Sequence, residues 1–234
     1  MKTLTQRAIA LAEAPFLRSA EVLGVRTWEP GSIREIDLHL PDCDMSRWTC
    51  AQHLKCKVGT LSYRDYTPLG WDLETSTCTL LIHTGHEGAG SVWARQLQRG
   101  DTVYYRGVGS SHHQPAEKQE MVFLGDESAI GHFLAIRQLA GSGSGISGAV
   151  LLSEPHHEQE FHDYYRGWAL EPLHKEAAGD YQPLEQWVEG WDAPAHPDAV
   201  FYLAGYIPSV VRLRKLLRRK GIGGRRVQAQ GFWD

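Results

Sequence analysis

The first half of the chain, mainly residues 19 to 118, alternates apolar and polar positions in short runs. The run AEVLGVRTWEPGSIREIDLHL predicts two strands joined by a turn at Pro30-Gly31. The runs QHLKCKV, LSYRDYTP, CTLLIHT and DTVYYRGV predict further strands, and SVWARQLQRG predicts one helix that ends at Gly100. Short strands joined mostly by local turns indicate an antiparallel β-barrel.

The second half of the chain, from residue 119, changes to strands that alternate with helices. The runs EMVFLGDE, SGAVLLSE, AVFYLAGY and RRVQAQGFW predict strands, and SAIGHFLAIRQLA, PLEQWVEGW and IPSVVRLRKLLRRKG predict the helices between them. This order predicts a parallel sheet covered by helices. The polar run SSHHQPAEKQ predicts a linker in which His112 and His113 are exposed. We therefore predict two domains, 1–118 and 119–234.

The composition narrows the class of protein. An apolar fraction of 42% and a charged fraction of 22% indicate a folded chain with a sizeable core. The net charge of −4 gives no general attraction to nucleic acid or to an anionic membrane, and no apolar run approaches the ~18 residues of a membrane span. The N-terminal run MKTLTQRAIALAEAPFLRSA predicts a short amphipathic helix and no signal peptide. We expect a cytoplasmic monomer with four free thiols: Cys43, Cys50, Cys56 and Cys78.

Three conspicuous motifs have structural explanations. The segment 143–148 fits the dinucleotide pattern G-x-G-x-x-G, but a helix precedes it and a strand follows, which is the reverse of the required order. We interpret it as a helix-to-strand connection. The histidine-rich segment 156–162 lacks metal-ligand spacing and predicts a solvated loop without metal. The run 212–226 holds eight cations and predicts a solvated helix face, with anion binding as the alternative.

The stretch YRDYTPLGWD combines three side chains that a large flat ligand with a phosphate would use. Arg64 offers a cation, Tyr66 a ring to stack on and Thr67 a hydroxyl. Alternation on a strand puts Arg64 and Tyr66 on one face. The alternative is an ordinary half-buried strand.

A second feature, HTGHEGAGSVWARQL, leads from a strand through Gly85, Gly88 and Gly90 into a helix that begins near Ser91. A glycine-rich turn into a helix exposes backbone N–H groups, which bind anions. A purely structural turn is the alternative. Because this turn follows Arg64 by one hairpin, a single diphosphate could contact both.

The order of these features resembles the ferredoxin-reductase superfamily of flavoproteins. In finer detail it resembles the siderophore-interacting proteins, which reduce ferric siderophores. QHLKCKV resembles the family's G-Q-H strand, YRDYT its R-x-Y-T, and IHTGHEGAGSVWARQLQRGDTV its H-G-x-x-G-P-x-S-x-W-A segment with the following G-D. FLGDESAI resembles its G-D-E-T-A turn, and FYLAGY with the closing GFW resembles its A-G-E helix and G-Y-W. The chain departs from the pattern at Leu69, where a second arginine is usual, and at Gly205-Tyr206, where an acidic residue is usual.

The resemblance implies a role for each matching residue. Arg64 would contact the FAD diphosphate, Tyr66 would stack on the isoalloxazine, and Thr67 would lie near the reactive nitrogen. His83 would contact the flavin or its ribityl chain. Trp93 would flank the adenine side or pack, and we favour packing. The remaining implied positions comprise three backbone contacts to the diphosphate, namely Gly88, Gly90 and Ser91, and four residues on the nucleotide side, namely Gly125, Asp126, Glu127 and Gly205.

The function implied by the resemblance is FAD-dependent reduction of ferric siderophores. The flavin carries the chemistry, so no catalytic side chain is expected. NADH, NADPH or a reduced ferredoxin would supply electrons, and Glu154, which would repel a 2′-phosphate, favours NADH. A cationic rim for an anionic chelate is expected from Lys55, Lys57, Arg218 and Arg219. The alternatives are a general NAD(P)H:flavin or electron-transfer reductase, a non-catalytic siderophore-binding flavoprotein and, more distantly, a nucleic-acid binder.

Overall fold

The computed structural model of the protein describes residues 13–141, 143–164, 166, 169–175 and 180–234. Most of the predicted N-terminal helix lies outside these residues. Within them the chain makes a 3₁₀ turn at Ala14–Phe16 before the first strand. The chain divides into two compact units, 1–111 and 112–234.

The first unit is a single antiparallel sheet of seven strands, in the order β4-β3-β7-β1-β2-β6-β5. Its one α-helix among the described residues, α1 (Ala89–Gln96), follows β6. The strands are β1 (Arg18–Trp28), β2 (Ile33–His39), β3 (Gln52–Gly59), β4 (Ser62–Tyr66), β5 (Pro68–Asp72), β6 (Thr77–His83) and β7 (Thr102–Ser110).

The sheet of the first unit curls on itself. Its edge strands, β4 and β5, are consecutive in the chain, and only Thr67 separates them. A flat sheet cannot bring its two edges within one residue of each other, so the sheet must close as a barrel does. Alternating side chains such as Leu54 and Cys56 of β3 point inward and are fully buried. The predicted antiparallel barrel is confirmed, with β5 as a strand that the sequence did not predict.

The second unit is a five-stranded, entirely parallel sheet in the order β10-β9-β8-β11-β12. Its strands are β8 (Met121–Asp126), β9 (Ile146–Leu152), β10 (Ala169–His174), β11 (Val200–Tyr206) and β12 (Val227–Trp233). Its helices are α2 (Ile130–Ala140), α3 (His157–Tyr164), α4 (Gln182–Gly190) and α5 (Ile207–Arg219). Every residue of β8 is buried, as is usual for a central strand of a covered parallel sheet. The predicted parallel α/β fold is confirmed.

Two sequence predictions in the second unit are wrong. The segment 156–162 was predicted to be a solvated loop, but most of it forms α3, and His157 is fully buried. His113 was predicted to be exposed, but only 1% of it is accessible, and its Nδ1 lies 2.7 Å from Nε2 of His132. The Tyr202 hydroxyl also donates to the Gln114 carbonyl at 2.7 Å. The start of the predicted linker therefore packs into the second unit.

The glycine-rich segment 143–148 connects α2 to β9, as predicted. Gly148 has a φ of +131°, and a Cβ at this position would overlap the backbone of Phe123. This glycine therefore allows β9 to approach β8 closely. Within the described residues, no group of three or more His, Cys, Asp or Glu side chains could hold a metal ion.

The cysteines agree with a further expectation. All four cysteines are free. None of the described helices is both long enough and apolar enough to cross a bilayer.

Candidate functional site

The strand β4 meets the start of α1 inside the first unit, and the contact is made at Gly90. A Cβ at this position would overlap the hydroxyl of Tyr66 and would lie 3.3 Å from Cγ of Arg64. Glycine at this position therefore lets the Tyr66 hydroxyl lie directly against the start of the helix. The two segments that the sequence suggested for one ligand are thus neighbours.

Tyr66 is held on one side by the helix. Its ring stacks on Trp93, with ring centroids 5.8 Å apart and planes 15° from parallel. Trp93 packs against the barrel core, which agrees with the packing role expected for it. Burial raises the pKa of the Tyr66 hydroxyl well above its usual range, so this hydroxyl stays protonated at neutral pH. Tyr66 is therefore a neutral aromatic group fixed beside the helix start.

Arg64 lies two residues before Tyr66 on β4, on the same face of the strand, and is exposed. Its Nη1 donates to the carbonyl of Tyr63 at 2.8 Å, and within the described part of the chain Arg64 makes no ion pair. Its charge is not compensated by a carboxylate of the barrel. Arg64 is therefore suited to bind an anion at the helix start.

The turn before α1 is held by a dense set of hydrogen bonds. Gly88 is the N-cap residue, and it provides no side-chain hydrogen bond to the first turn of the helix. The N–H of Gly88 donates to Nδ1 of His86 at 3.1 Å, and the Ser91 hydroxyl donates to the His83 carbonyl at 3.2 Å. Arg95 donates to the Thr84 carbonyl at 2.7 Å and thereby holds the turn from below. Ser91 is 2% exposed, so its hydroxyl is a structural element of this turn.

His83 and Thr67 flank this region. His83 ends β6, and its ring centroid lies 5.7 Å from that of His86. A Cβ on Gly85 would lie 2.8 Å from Nε2 of His83, so the lack of a side chain at Gly85 lets the His83 ring lie close to the turn. Thr67 follows Tyr66 directly and is partly exposed. His86 and Arg95 were not selected from the sequence, since only the folded turn brings them to the helix start.

The two lysines predicted for the substrate are paired with carboxylates. Nζ of Lys55 lies 2.8 Å and 3.0 Å from the two carboxylate oxygens of Asp65, the residue opposite it in the β3–β4 register. Lys57 forms an ion pair with Glu13, which also accepts a hydrogen bond from the Tyr63 hydroxyl. These hydrogen bonds lower the pKa of Glu13. Neither lysine therefore offers an uncompensated charge to an anionic chelate.

The predicted nucleotide-side residues of the second unit converge at one place. β8 and β11 are adjacent in the sheet. The chain continues from β8 to β9 on one side of this pair and from β11 to β12 on the other side. The carboxyl ends of β8 and β11 therefore form the switch point where open parallel sheets bind ligands. Asp126 ends β8, and its Oδ2 accepts the N–H of Tyr206 at 2.9 Å. Gly205 has a φ of +113°, and a Cβ there would lie 2.7 Å from the Asp126 carboxylate. A Cβ on Gly125 would overlap the carbonyl oxygen of Ala204 on β11 and would lie 2.9 Å from Cβ of Ala129.

The carboxylates at this switch point are internally satisfied. Asp126 also accepts the N–H of Ser128 at 3.0 Å. Burial raises the pKa of Asp126, while the hydrogen bonds from Ser128 and Tyr206 oppose that shift. Glu127 is 2% exposed; it accepts from the Ser153 hydroxyl at 2.6 Å and lies 3.5 Å from Nζ of Lys175.

An aromatic column adjoins the switch point. The Tyr206 ring lies 4.7 Å from that of Tyr181 and 4.6 Å from that of Trp233. Trp233 donates its indole N–H to the Ser128 hydroxyl at 3.2 Å. Tyr181 was not selected from the sequence, because only the fold brings it beside Tyr206 at the end of β11.

Arg218 and Arg219 lie at the end of α5 that is remote from Gly205. The helix has 13 residues, which corresponds to about 20 Å. Both arginines are exposed and line a groove of about 550 Å³ along α5. Its other lining residues are Glu185, Arg212, Lys215 and Leu216. Arg212 lies 3.6 Å from Glu185, the acidic residue of the lining. The three other cationic side chains of the lining leave the groove with a net positive charge.

Comparison with known proteins agrees with this architecture. A model of the siderophore-interacting protein family matches residues 118–234, which is half of the chain. A search among curated protein sequences finds no match.

Solved structures match nearly the whole chain. The siderophore-interacting protein from Acinetobacter baumannii aligns with a TM-score of 0.75 and 14% identity, over 93% of this chain and 90% of that one. The siderophore utilization protein from T. fusca aligns with a TM-score of 0.76 and 21% identity, over 93% and 92%. Flavohemoglobin from Malassezia yamatoensis, which was solved with bound FAD and heme, aligns with a TM-score of 0.72 and 14% identity, over 93% and 60%. The shared feature is a ferredoxin-reductase-like fold.

The family match and the fold lead to one assignment. The matched half is the parallel α/β unit with its switch point at Asp126 and Gly205, and the similar structures extend over the barrel as well. The chain belongs to the siderophore-interacting protein family.

Proposed function

We propose that the protein is an FAD-dependent reductase of ferric siderophores. Electrons would pass from a nicotinamide nucleotide or a ferredoxin through FAD to the ferric ion. The family and the ferredoxin-reductase-like fold support flavin-associated electron transfer, and one protein of similar fold carries FAD. The observation that carries the proposal is the contact of Arg64 and Tyr66 with the start of α1 at Gly90.

The residues of the first unit fit FAD. Within the described residues Arg64 forms no ion pair, so it would supply the cation that the diphosphate needs. The first turn of α1 would supply backbone N–H donors at Gly88, Gly90 and Ser91, of which the Gly88 N–H also bonds to His86. Tyr66 would offer its ring to the isoalloxazine, and Thr67 its hydroxyl. Because Gly90 has no side chain, the Tyr66 hydroxyl and the Arg64 side chain lie close to this helix start.

The chemistry would belong to bound FAD, which exchanges a hydride for single electrons. His83 would contact the flavin or its ribityl chain. We therefore assign FAD binding to the first unit and a donor-side role to the second. No side chain needs to ligate iron, since the siderophore fills its coordination sphere. Reduction to Fe(II) weakens binding by hard oxygen ligands and releases the metal.

The substrate cations are better assigned to α5 than to β3. Lys55 and Lys57 are paired with carboxylates, whereas Arg218 and Arg219 line a groove with net positive charge. Its volume is within the range of small-molecule sites. We propose that these two arginines attract an anionic ferric siderophore.

Anaerobic reoxidation tests the proposed reaction. Reduced protein is mixed with an anionic ferric siderophore, and Fe(II) is trapped with a colorimetric chelator. We expect reoxidation of the flavin, Fe(II) in the trap, and slower reaction at higher salt because charges near water are screened over about 10 Å at 0.1 M. The double variant Arg218→Glu/Arg219→Glu should raise the apparent KM for the siderophore. Arg214→Glu/Arg225→Glu, which changes the charge equally in the same basic run but outside the groove lining, is the matched control.

The other outcomes separate the alternatives. Equal rates for neutral and anionic chelates, with no effect of the arginines, would remove the siderophore site and leave a reductase. Faster turnover of free flavins than of ferric chelates would identify a general NAD(P)H:flavin reductase. A flavoprotein that binds the siderophore without reducing it would be a non-catalytic binder.

A further inference from the structure

The side chain of His86 occupies the turn that leads into α1. Its Nδ1 lies 3.1 Å from the Gly88 nitrogen, and its Nε2 lies 3.0 Å from the hydroxyl oxygen of Ser91. The Ser91 hydroxyl lies 3.2 Å from the carbonyl of His83. His86 therefore connects the start of the helix with the end of β6.

These contacts determine which nitrogen of His86 carries the proton. The Gly88 N–H is a donor, so Nδ1 must accept, and Nε2 therefore carries the hydrogen of the neutral ring. The hydroxyl oxygen of Ser91 lies against the ring, 3.3 Å from Nδ1 and 3.0 Å from Nε2, and this hydroxyl donates its proton to the His83 carbonyl. The hydrogen bond from Gly88 to Nδ1 requires a neutral His86.

The charges around His86 favour this neutral form. Desolvation by the turn, and then the charge of Arg95, lower the pKa of His86, and Glu87 opposes them. The helix start also disfavours a cation, because its N–H groups carry partial positive charge. An anion placed at the helix start would instead favour the protonated form of His86. Among the described residues, the ring of His83, 5.7 Å away, is a further titratable group that faces His86.

We propose that His86 couples FAD binding to the uptake of one proton, an inference that rests on the FAD site proposed above. Neutral His86 accepts the N–H of Gly88, one of the donors that the diphosphate would use. Protonated His86 cannot accept this hydrogen bond, because both ring nitrogens then carry hydrogens. It releases the Gly88 N–H to the diphosphate and presents a cation to it. The proton comes from solvent, and no bond is made or broken in the flavin. His86 is a positioning residue in this scheme.

The dissociation constant of FAD, measured by flavin fluorescence between about pH 6 and 8, tests this coupling. The Kd should fall toward acid pH by up to about tenfold per pH unit, as linkage to one proton requires. In His86→Gln the amide oxygen can still accept from Gly88 but does not titrate, so the Kd should not depend on pH. His83→Gln should keep the pH dependence. Riboflavin lacks the diphosphate, so its Kd should not depend on pH.

Each other result overturns a defined part of the reasoning. A pH-independent Kd for FAD in the parent protein overturns the coupling and leaves the FAD site intact. Loss of the pH dependence in His83→Gln, and its survival in His86→Gln, overturns the assignment to His86. Failure of FAD to bind at any pH overturns the proposed FAD site together with the coupling.

Discussion

Gly90→Ala is the substitution that tests the proposed flavin cradle most locally. The new Cβ would overlap the Tyr66 hydroxyl and would lie 3.3 Å from Cγ of Arg64. Carbon atoms in contact are normally about 3.5–4.0 Å apart, so Tyr66 must move. Its hydroxyl is the far end of a side chain, and the helix backbone can keep its place. The displacement therefore falls on the ring that we propose to stack on the flavin.

The effects of this substitution on stability and on cofactor affinity should differ. Overpacking typically destabilises by about 1–3 kcal/mol, and replacing glycine by alanine within a helix stabilises by about 1 kcal/mol. The free energy of unfolding should therefore fall by no more than about 2 kcal/mol. Loss of aromatic stacking at Tyr66 removes about 0.5–1.5 kcal/mol, and a misplaced Arg64 adds to that loss. We expect FAD affinity to fall by about tenfold or more.

The assay is a pair of measurements on three proteins. FAD affinity is measured by fluorescence titration, and unfolding by denaturant, for the parent, Gly90→Ala and Gly223→Ala. Gly223 is a matched control because it precedes a short helical turn and a Cβ there would meet nothing within 4 Å. Gly90→Ala with parental FAD affinity would refute the cradle. Equal losses in both variants would also refute it.

The remaining predictions concern the cation, the donor and acid stability. Arg64→Ala should weaken FAD binding by about 2 kcal/mol in fluorescence titrations. Arg99 is an exposed arginine near the same helix, and Arg99→Ala should not weaken binding. Equal losses in the two variants would contradict the role of Arg64. Because Glu154 would repel a 2′-phosphate, stopped-flow reduction by NADH should be at least as fast as by NADPH, and a tenfold advantage for NADPH would contradict this. If only reduced ferredoxin works, the donor is not a nucleotide. Burial lowers the pKa of His113 in the folded protein to about 4. As the pH falls, His113 therefore takes up a proton in the unfolded chain before it does so in the folded chain. Denaturant titrations should then show stability falling from about pH 6.5 to 4, by up to about 3 kcal/mol, with a smaller fall in His113→Gln; equal slopes would contradict this cause.

Much of the fold could be predicted because alternation and helical spacing report burial directly. The strand β5 escaped prediction because its run, PLGWD, contains a proline and a glycine, which normally interrupt strands. The helix α3 escaped because its charged and histidine-rich sequence resembles a loop. His113 lies in a polar run, and only the contact with His132 explains its burial.

The candidate site could be predicted only where one short stretch carries it. R-x-Y-T and the glycine-rich helix start are local, so the sequence revealed both, and the fold brings them together at Gly90. The pairing of Lys57 with Glu13 joins residues far apart in sequence, and the pairing of Lys55 depends on the β3–β4 register. His86 has no signal of its own, because its role depends on the geometry of a single turn.

The identity of the bound cofactor tests the central claim most directly. The protein is purified, its visible spectrum is recorded, and any flavin is released by heat and identified by chromatography and mass spectrometry. If the preparation is colourless, it is first reconstituted with FAD and with FMN in parallel. Our account predicts a yellow protein that releases or retains FAD in preference to FMN, because the start of α1 and Arg64 are arranged for a diphosphate. A protein that carries no flavin and cannot be reconstituted, or that takes FMN as readily as FAD, would contradict it.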